Sequence, residues 1–148
     1  MSKAYVLDTS TLLNLIRGNE LGLQIDAAYG LRAAMHRHAI SIVTHGELLV
    51  LAERNNWGEA KRSALDLALD NLVTINIDSA PLVQAYVQVE EACRNIPGGE
   101  RKMGQNDMWI AATALLCGMP IITTDGDFRH LNERLITVNW VDPKLGKA

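Results

Sequence analysis

The sequence has little of several features that define special classes of protein. Its 148 residues include only 2 cysteines, 4 prolines and 1 phenylalanine. No apolar run approaches the roughly 20 residues that span a bilayer, and a strand-like segment at 4–7 begins too early for a signal peptide. We therefore expect a cytoplasmic protein in which Cys93 and Cys117 are reduced core residues, not a disulfide or a metal-binding pair.

An excess of positive charge is also lacking. The formal net charge is −3, with 14 Lys and Arg against 17 Asp and Glu, which argues against binding nucleic acid by bulk positive charge. It does not exclude a nuclease, because bound cations reverse the local field of a carboxylate site. The phosphate-binding loops G-x-x-x-x-G-K-[ST] and G-x-G-x-x-G are absent, and no Ser-His-Asp or Cys-His arrangement for nucleophilic catalysis stands out.

Strand-like and helix-like segments alternate along the whole chain. The pattern predicts strands at 4–7, 39–43, 72–77, 120–123 and 135–140, and helices at 9–17, 21–37, 44–54, 57–70, 79–94 and 106–116, with a short turn or helix at 128–134. Such alternation is typical of an α/β protein with a mainly parallel sheet covered by helices on both faces. The length predicts a single domain over residues 1–148.

Four acidic residues fall where a predicted strand or loop passes into a helix. Asp8 and Asp125 follow strands, Glu47 comes one helical turn after the second strand, and Asp107 opens a helix. Ligands of open parallel sheets bind outside the carboxyl ends of the strands, so all four acids are expected to face one crevice. Clustered carboxylates repel one another, and their common use is to hold Mg²⁺ or Mn²⁺ against a phosphate.

Each acid also has a local explanation that needs no ligand. Asp8 is a favoured N-cap residue, and Glu47 would complete a capping box with Thr44. Asp107 would meet the positive end of a helix dipole, and Asp125 would occupy a turn. Capping does not require all the acids to lie at one edge of a sheet, so the joint pattern favours the metal site.

Other polar and aromatic residues carry weaker signals. Arg101 and Lys102 lie in a glycine-rich loop shortly before Asp107, which is either a solvated loop or a contact for phosphates. His36 and His38 have H-x-H spacing without a third zinc ligand, and we expect both at the surface. Trp140 could stack on a base, although a core or interface position is expected.

Four motifs together resemble the PIN-domain ribonucleases. They are V-L-D-T-S at the N-terminus, T-x-x-E after the second strand, N-D-x-x-I-A-A-T-A-L, and I-x-T-x-D-x-D-F. The similarity covers about residues 5–128 and is greatest to the VapC toxins of bacterial and archaeal toxin–antitoxin modules. The last two motifs, in this order and at this separation, are the more specific ones.

The resemblance implies a PIN-like three-layer α/β/α sandwich and an Mg²⁺- or Mn²⁺-dependent endoribonuclease. It also implies an RNA substrate, a cognate antitoxin that inhibits the enzyme, and a homodimer. The residues that it assigns are as follows: Asp8, Glu47, Asp107 and Asp125 as catalytic acids, Asp8 and Asp107 as the metal ligands, and Thr9 and Asp127 as secondary support of the metal. Arg101 and Lys102 would then contact phosphates of the RNA.

Alternative functions remain at this point. A dehalogenase-type phosphatase would need a second aspartate where the chain has Ser10, and a receiver domain would need paired N-terminal acids and a late lysine. A catalytically idle PIN-like binding module that acts through its antitoxin complex is disfavoured by the four intact acids. Metal-dependent cleavage of RNA separates these alternatives.

Overall fold

A five-stranded parallel sheet forms the centre of the protein in a computed structural model, which describes residues 3–147. The strands are β1 Val6–Leu7, β2 Ala39–Ser41, β3 Val73–Ile75, β4 Ile121–Thr123 and β5 Val138–Trp140. Their order in the sheet is β3-β2-β1-β4-β5. In the central strand Val6 pairs with Ala39 on one side and with Ile121 on the other, so the ends of β1, β2 and β4 meet at one edge.

Helices cover both faces of this sheet. They are α1 Thr9–Arg17, α2 Glu20–Tyr29, α3 Ile42–Arg54, α4 Glu59–Asn71, α5 Ala80–Arg94 and α6 Gln105–Cys117, with 3-10 segments at Arg32–Arg37, Gly126–Leu131 and Pro143–Lys147. One buried cluster joins the sheet to α1, α2, α3 and α4, and a second joins it to α5 and α6. Each face therefore buries its own layer of apolar side chains, and the predicted α/β/α sandwich is confirmed.

The predicted helix over 21–37 is wrong in its second half. The helix α2 ends at Tyr29 because Gly30 adopts the left-handed conformation, with φ of +63°, where a side chain would be strained. The Gly30 N–H then donates to the carbonyl of Asp26 at 2.7 Å. Arg32–Arg37 follow as a 3-10 segment that is interrupted at Ala34.

The predicted capping box at the start of α3 is also wrong. The helix begins at Ile42, two residues earlier than expected, because the Ser41 hydroxyl caps it by accepting from the Val43 N–H at 3.1 Å. Thr44 and Glu47 therefore lie inside the helix and have no role at its N-terminus. The side chain of Glu47 is free for contacts across the sheet edge.

Several predicted ends differ by a few residues. The third strand shortens to an exposed edge strand, β3, and the last strand begins at Val138. The helix α4 begins at Glu59 after the N-cap Gly58, two residues later than predicted, and Trp57 lies before it in the core. The short turn or helix after β4 is the 3-10 segment Gly126–Leu131. Over residues 3–147, no helix is long and apolar enough to cross a membrane.

The two histidines of the H-x-H pair separate in the structure. His36 is exposed as predicted, but the surface position predicted for His38 is wrong, since only 1% of that residue is exposed. The Tyr5 N–H donates to its Nδ1 at 3.2 Å, and burial is the main cause that lowers its pKa. Cys93 is buried and Cys117 half-buried, and both are free thiols.

Candidate active site

The candidate acids meet at the carboxyl edge of the sheet. Asp8 directly follows β1, and Asp125 lies two residues after β4. Glu47 is on the second turn of α3, and Asp107 is in the first turn of α6. Asp127 lies in the 3-10 segment that continues from Asp125. The chain thus delivers five carboxylates from four separate elements to one crevice.

Asp8 is the most deeply buried of the acids, with 3% of the residue exposed. Its Oδ1 accepts from the Thr11 N–H at 2.9 Å and from the Ser10 hydroxyl at 2.8 Å, and its Oδ2 accepts from the Thr123 hydroxyl. Burial raises the pKa of the Asp8 carboxyl, and these hydrogen bonds oppose that effect. The bond from Thr11 also caps α1, so Asp8 combines the capping role with a place in the cluster.

Glu47 is oriented by a hydroxyl from α1. The Thr9 Oγ1 donates to Glu47 Oε1 at 2.6 Å and lies 3.1 Å from the Oγ1 of the buried Thr44. The bond joins α1 to α3 across the sheet edge. It fixes one carboxylate oxygen of Glu47 and leaves Oε2 for another partner.

Asp107, Asp125 and Asp127 form the closest group of carboxylates. One oxygen from each lies within 4.8 Å of the others, with Asp107 and Asp125 half-buried and Asp127 exposed. Asp125 is held in place because its Oδ1 accepts from the Asp127 N–H at 2.9 Å and its own N–H donates to Thr123 Oγ1 at 2.9 Å. Oxygen donors at this separation suit a small divalent cation such as Mg²⁺ or Mn²⁺.

The electrostatics of Asp107 agree with a cation-binding role. Burial, followed by the charges of Asp125, Asp8, Glu47 and Asp127, raises the pKa of the Asp107 carboxyl to about 7. Within residues 3–147, none of the ion pairs involves these acids. A cation at this position would remove the repulsion and favour the ionised form. The donor set therefore fits the metal that the sequence motifs imply.

Two hydroxyls that organise the cluster, in addition to the predicted Thr9, were not expected from the sequence. Thr123 donates to Asp8 and accepts from the Asp125 N–H, and Ser10 bonds both oxygens of Asp8. Both residues lie inside the quoted motifs, as the threonine of I-x-T-x-D and the serine of V-L-D-T-S. The sequence signal that could have identified them is a hydroxyl residue two positions from a candidate ligand, as Ser10 is from Asp8 and Thr123 is from Asp125.

Arg101 and Lys102 lie in the loop between α5 and α6. The loop is tied to α5 by the Arg101 N–H, which donates to the carbonyl of Cys93 at 2.9 Å, and both basic side chains are exposed. The Arg101 guanidinium lies near His130, whose pKa is lowered first by burial and then by this charge. Contact of Arg101 and Lys102 with RNA stays a prediction.

A shallow groove runs beside the acidic cluster along α3. Its volume is about 600 Å³, and it combines the carboxylate of Glu47 with apolar side chains such as Val50 and with the charged end of Arg54. Half of Val50 is exposed, at 49%. The groove gives the cluster an open approach from the α3 side.

The fold and the site define an α/β/α protein with an acidic pocket for a divalent cation at the carboxyl edge of a parallel sheet. The PIN domain family matches residues 5–134, and the chain belongs to this family. The chain is 32% identical over 132 residues to Ribonuclease VapC5 of Mycobacterium tuberculosis (strain ATCC 25618 / H37Rv), covering 87% of this chain and 88% of that protein. The family resemblance of the sequence motifs is confirmed.

Solved structures share the fold. VapBC2 from Rickettsia felis, bound to a DNA fragment from the promoter, superposes with a TM-score of 0.69 at 21% identity, covering 91% of this chain and 96% of that one. A toxin–antitoxin complex from Klebsiella pneumoniae gives a TM-score of 0.64 at 26% identity, with 90% and 94% of the two chains covered. The sheet and its helical layers are those of the PIN fold.

Proposed function

We propose that this protein is a divalent-metal-dependent endoribonuclease, acting as the toxin of a toxin–antitoxin module and inhibited by a cognate antitoxin. The observation that carries the proposal is the group of three carboxylate oxygens, from Asp107, Asp125 and Asp127, within 4.8 Å of one another. The family and the relative named as a ribonuclease supply the reaction class. The whole chain would act as one nuclease domain.

Mg²⁺ or Mn²⁺ would be held by Asp107 with Asp125 and Asp127. Asp8, predicted from the sequence as a metal ligand together with Asp107, would add its negative charge to the same pocket. The bound ion supplies an activated water and stabilises the charge that develops on the phosphate. The chain's own residues prepare that position. Thr123 and Ser10 favour the ionised form of Asp8 by donating hydrogen bonds to it. Thr9 fixes Glu47 so that its Oε2 can accept a hydrogen bond from a water.

The protein partner in this proposal is an antitoxin. It is supported by the Klebsiella pneumoniae neighbour, which is a toxin–antitoxin complex of the same fold. The open groove along α3 brings Val50 and Arg54 next to Glu47, so a polypeptide seated there would cover the approach to the acids. A homodimer is proposed with it on the family resemblance.

Cleavage of total RNA by the purified protein tests the proposed activity. With Mg²⁺ or Mn²⁺ we expect discrete fragments that disappear with EDTA, and Asp107→Asn should lower the rate by a factor of about 100 or more, since one carboxylate of the cation site is lost. Asp66→Asn is the matched control, because Asp66 is an exposed aspartate on α4 and its loss should leave the rate unchanged. Mapping the fragment ends would define the target sequence.

Two results would contradict the proposal. Full activity of Asp107→Asn would show that the carboxylate group is not the metal site. Absence of cleavage by folded, antitoxin-free protein in both metals would favour the catalytically idle binding module, which acts through its antitoxin complex. Circular dichroism of each variant separates loss of the site from loss of the fold.

A further inference from the structure

A cationic and an aromatic side chain pack against each other beside the acidic cluster. The guanidinium carbon of Arg129 lies 4.1 Å from the ring centre of Trp140. Arg129 is exposed, while Trp140 is half-buried and packs against the apolar layer beneath α5 and α6. A guanidinium within about 6 Å of an indole face is attracted by the ring quadrupole. The indole therefore fixes the position of an otherwise mobile charge.

The topology puts this pair at the same sheet edge as the acids. Trp140 is the last residue of β5 and pairs with Thr123 of β4, the residue that bonds Asp8 and Asp125. Arg129 follows Asp127 by two residues in the same 3-10 segment. One strand spacing thus separates Trp140 from the hydroxyl that organises the acidic cluster.

The donors of the Arg129 side chain are not used by any residue that the structure describes. Among residues 3–147, its side chain takes part in no hydrogen bond, and none of the ion pairs within 4.0 Å includes it. Arg94, in contrast, binds Glu90 through two nitrogens at 3.1 and 2.9 Å. In the described chain Arg129 packs on Trp140 and forms no ion pair with the neighbouring Asp127, so its nitrogens are available beside a pocket of carboxylates.

We propose that Arg129 and Trp140 form an RNA-binding platform next to the acidic cluster. An unpaired base of the substrate stacks on the outer face of the guanidinium, and the edge nitrogens donate to the adjoining phosphate. The planar, permanently charged group suits both contacts, and stacking on such a surface accepts any base. The choice of RNA as the ligand rests on the proposed function, whereas the platform itself rests on the geometry.

Binding of a short fluorescein-labelled single-stranded RNA of mixed sequence tests the platform by anisotropy in EDTA, where metal-dependent cleavage cannot occur. Arg129→Ala should weaken binding about tenfold, the range expected for loss of one stacked base. It should also lower the slope of log affinity against log salt by about 0.7, the value for one phosphate contact of a single strand. Arg129→Lys keeps the charge but lacks the planar face. It should therefore restore the slope of log affinity against log salt, but recover little of the lost affinity.

Arg134→Ala is the matched control. Arg134 is exposed and lines a cavity with Met119 and Thr137 at the opposite edge of the sheet, so the same change of charge there should alter affinity less than twofold. Trp140→Phe keeps an aromatic face of smaller area and should fall between the wild type and Arg129→Ala. Thermal melting of each variant confirms that the fold is kept.

The platform is wrong if Arg129→Ala binds RNA like Arg134→Ala, if Arg129→Lys recovers full affinity, or if the wild type does not bind the RNA. These outcomes are independent of the nuclease proposal. If the protein cleaves RNA with metal but its RNA affinity does not depend on Arg129, only the platform is wrong. If RNA binding depends on Arg129 but neither metal supports cleavage, the nuclease proposal is wrong and the platform is supported.

Discussion

The two sides of the acidic pocket are built differently. On the β1 side, comprising Asp8, Thr9 and Glu47, both carboxylates accept hydrogen bonds from protein hydroxyls. On the α6 side, comprising Asp107, Asp125 and Asp127, the one carboxylate that accepts a hydrogen bond from the described residues is Asp125, and its donor is the backbone N–H of Asp127. Within residues 3–147, the polypeptide thus completes the first side and leaves the second to an external cation.

The difference follows from how each carboxylate is stabilised. A buried carboxylate is tolerated when its oxygens are hydrogen-bonded, and Asp8 receives three protein donors, from Ser10, Thr11 and Thr123. Asp107 lacks comparable donors in the described chain, and its pKa of about 7 means that a proton partly replaces the cation near neutral pH. Burial raises a carboxyl pKa on both sides, but the β1 side is a preformed scaffold of donors, whereas the α6 side leaves its charge to a cation or a proton.

The largest effect on stability is expected on the β1 side, from Asp8→Asn. The amide keeps the shape but replaces one acceptor oxygen with a donor, which faces the hydroxyl of Ser10 or Thr123. Leaving a buried donor unpaired in this network costs about 3 kcal/mol, which we expect to outweigh the relief of neutralising a carboxyl whose pKa burial raises. Urea denaturation in EDTA measures it.

Asp66→Asn, at an exposed site on α4, controls for the change of charge and should alter the free energy of unfolding by less than about 0.5 kcal/mol. If Asp8→Asn unfolds at the same urea concentration as the control, the β1 side is not a stabilised scaffold and the contrast between the sides fails.

A smaller effect is expected at the hydroxyl that joins the two sides. Thr123→Val removes the donor to Asp8 Oδ2 and the acceptor of the Asp125 N–H while keeping the shape of the buried side chain. We expect a loss of about 2 kcal/mol in urea denaturation, together with weaker binding of Mn²⁺ measured by calorimetry, because Asp125 loses its anchor.

Thr123→Ser keeps the hydroxyl and is the control for this prediction. It should regain most of the Mn²⁺ affinity, although the lost methyl group leaves a small stability deficit. Equal Mn²⁺ affinities in the valine and serine variants would show that Thr123 contributes only packing.

The sequence predicted that the acids meet at one edge of the sheet, but it did not predict that the two sides of the pocket differ. Asp8 directly follows one apolar run that predicts a buried strand, and Asp125 lies two residues after another, so their meeting follows from a parallel sheet. The partners of these acids depend on rotamers and on long-range register. Thr123 reaches Asp8 across 115 positions of sequence, a contact that periodicity does not contain.

Local ambiguity explains the errors in the predicted elements. Ser41 is both the last residue of β2 and the N-cap of α3, whereas the sequence pattern predicts the capping role for Thr44, which fits a capping box with Glu47. His38 lies between exposed Arg37 and buried Ala39, and its burial depends on packing against Tyr5, 33 positions away.

The smallest effect, and the sharpest test of the α6 side, is expected from Asp107→Asn in metal-free protein. Since its pKa is about 7 when folded and 3.8 in the reference state, the folded protein binds more protons between these values. Its stability should therefore fall as pH rises from about 4 to 7. Asp107→Asn removes this loss, and with allowance for solvent screening at a half-buried site we expect a gain of about 1 kcal/mol at pH values above 7.

Urea denaturation in EDTA at several pH values measures the gain, with Asp66→Asn as the control that should follow the wild type at every pH. Near pH 4 the difference between Asp107→Asn and the wild type should vanish, because Asp107 is then protonated in the folded protein. Mg²⁺ should reverse the order above pH 7: it stabilises the wild type by binding the ionised carboxylates, and it has less effect on the variant. A variant less stable than the wild type in EDTA at high pH would mean that Asp107 is already stabilised by the protein, and the two sides of the pocket would then not differ as described.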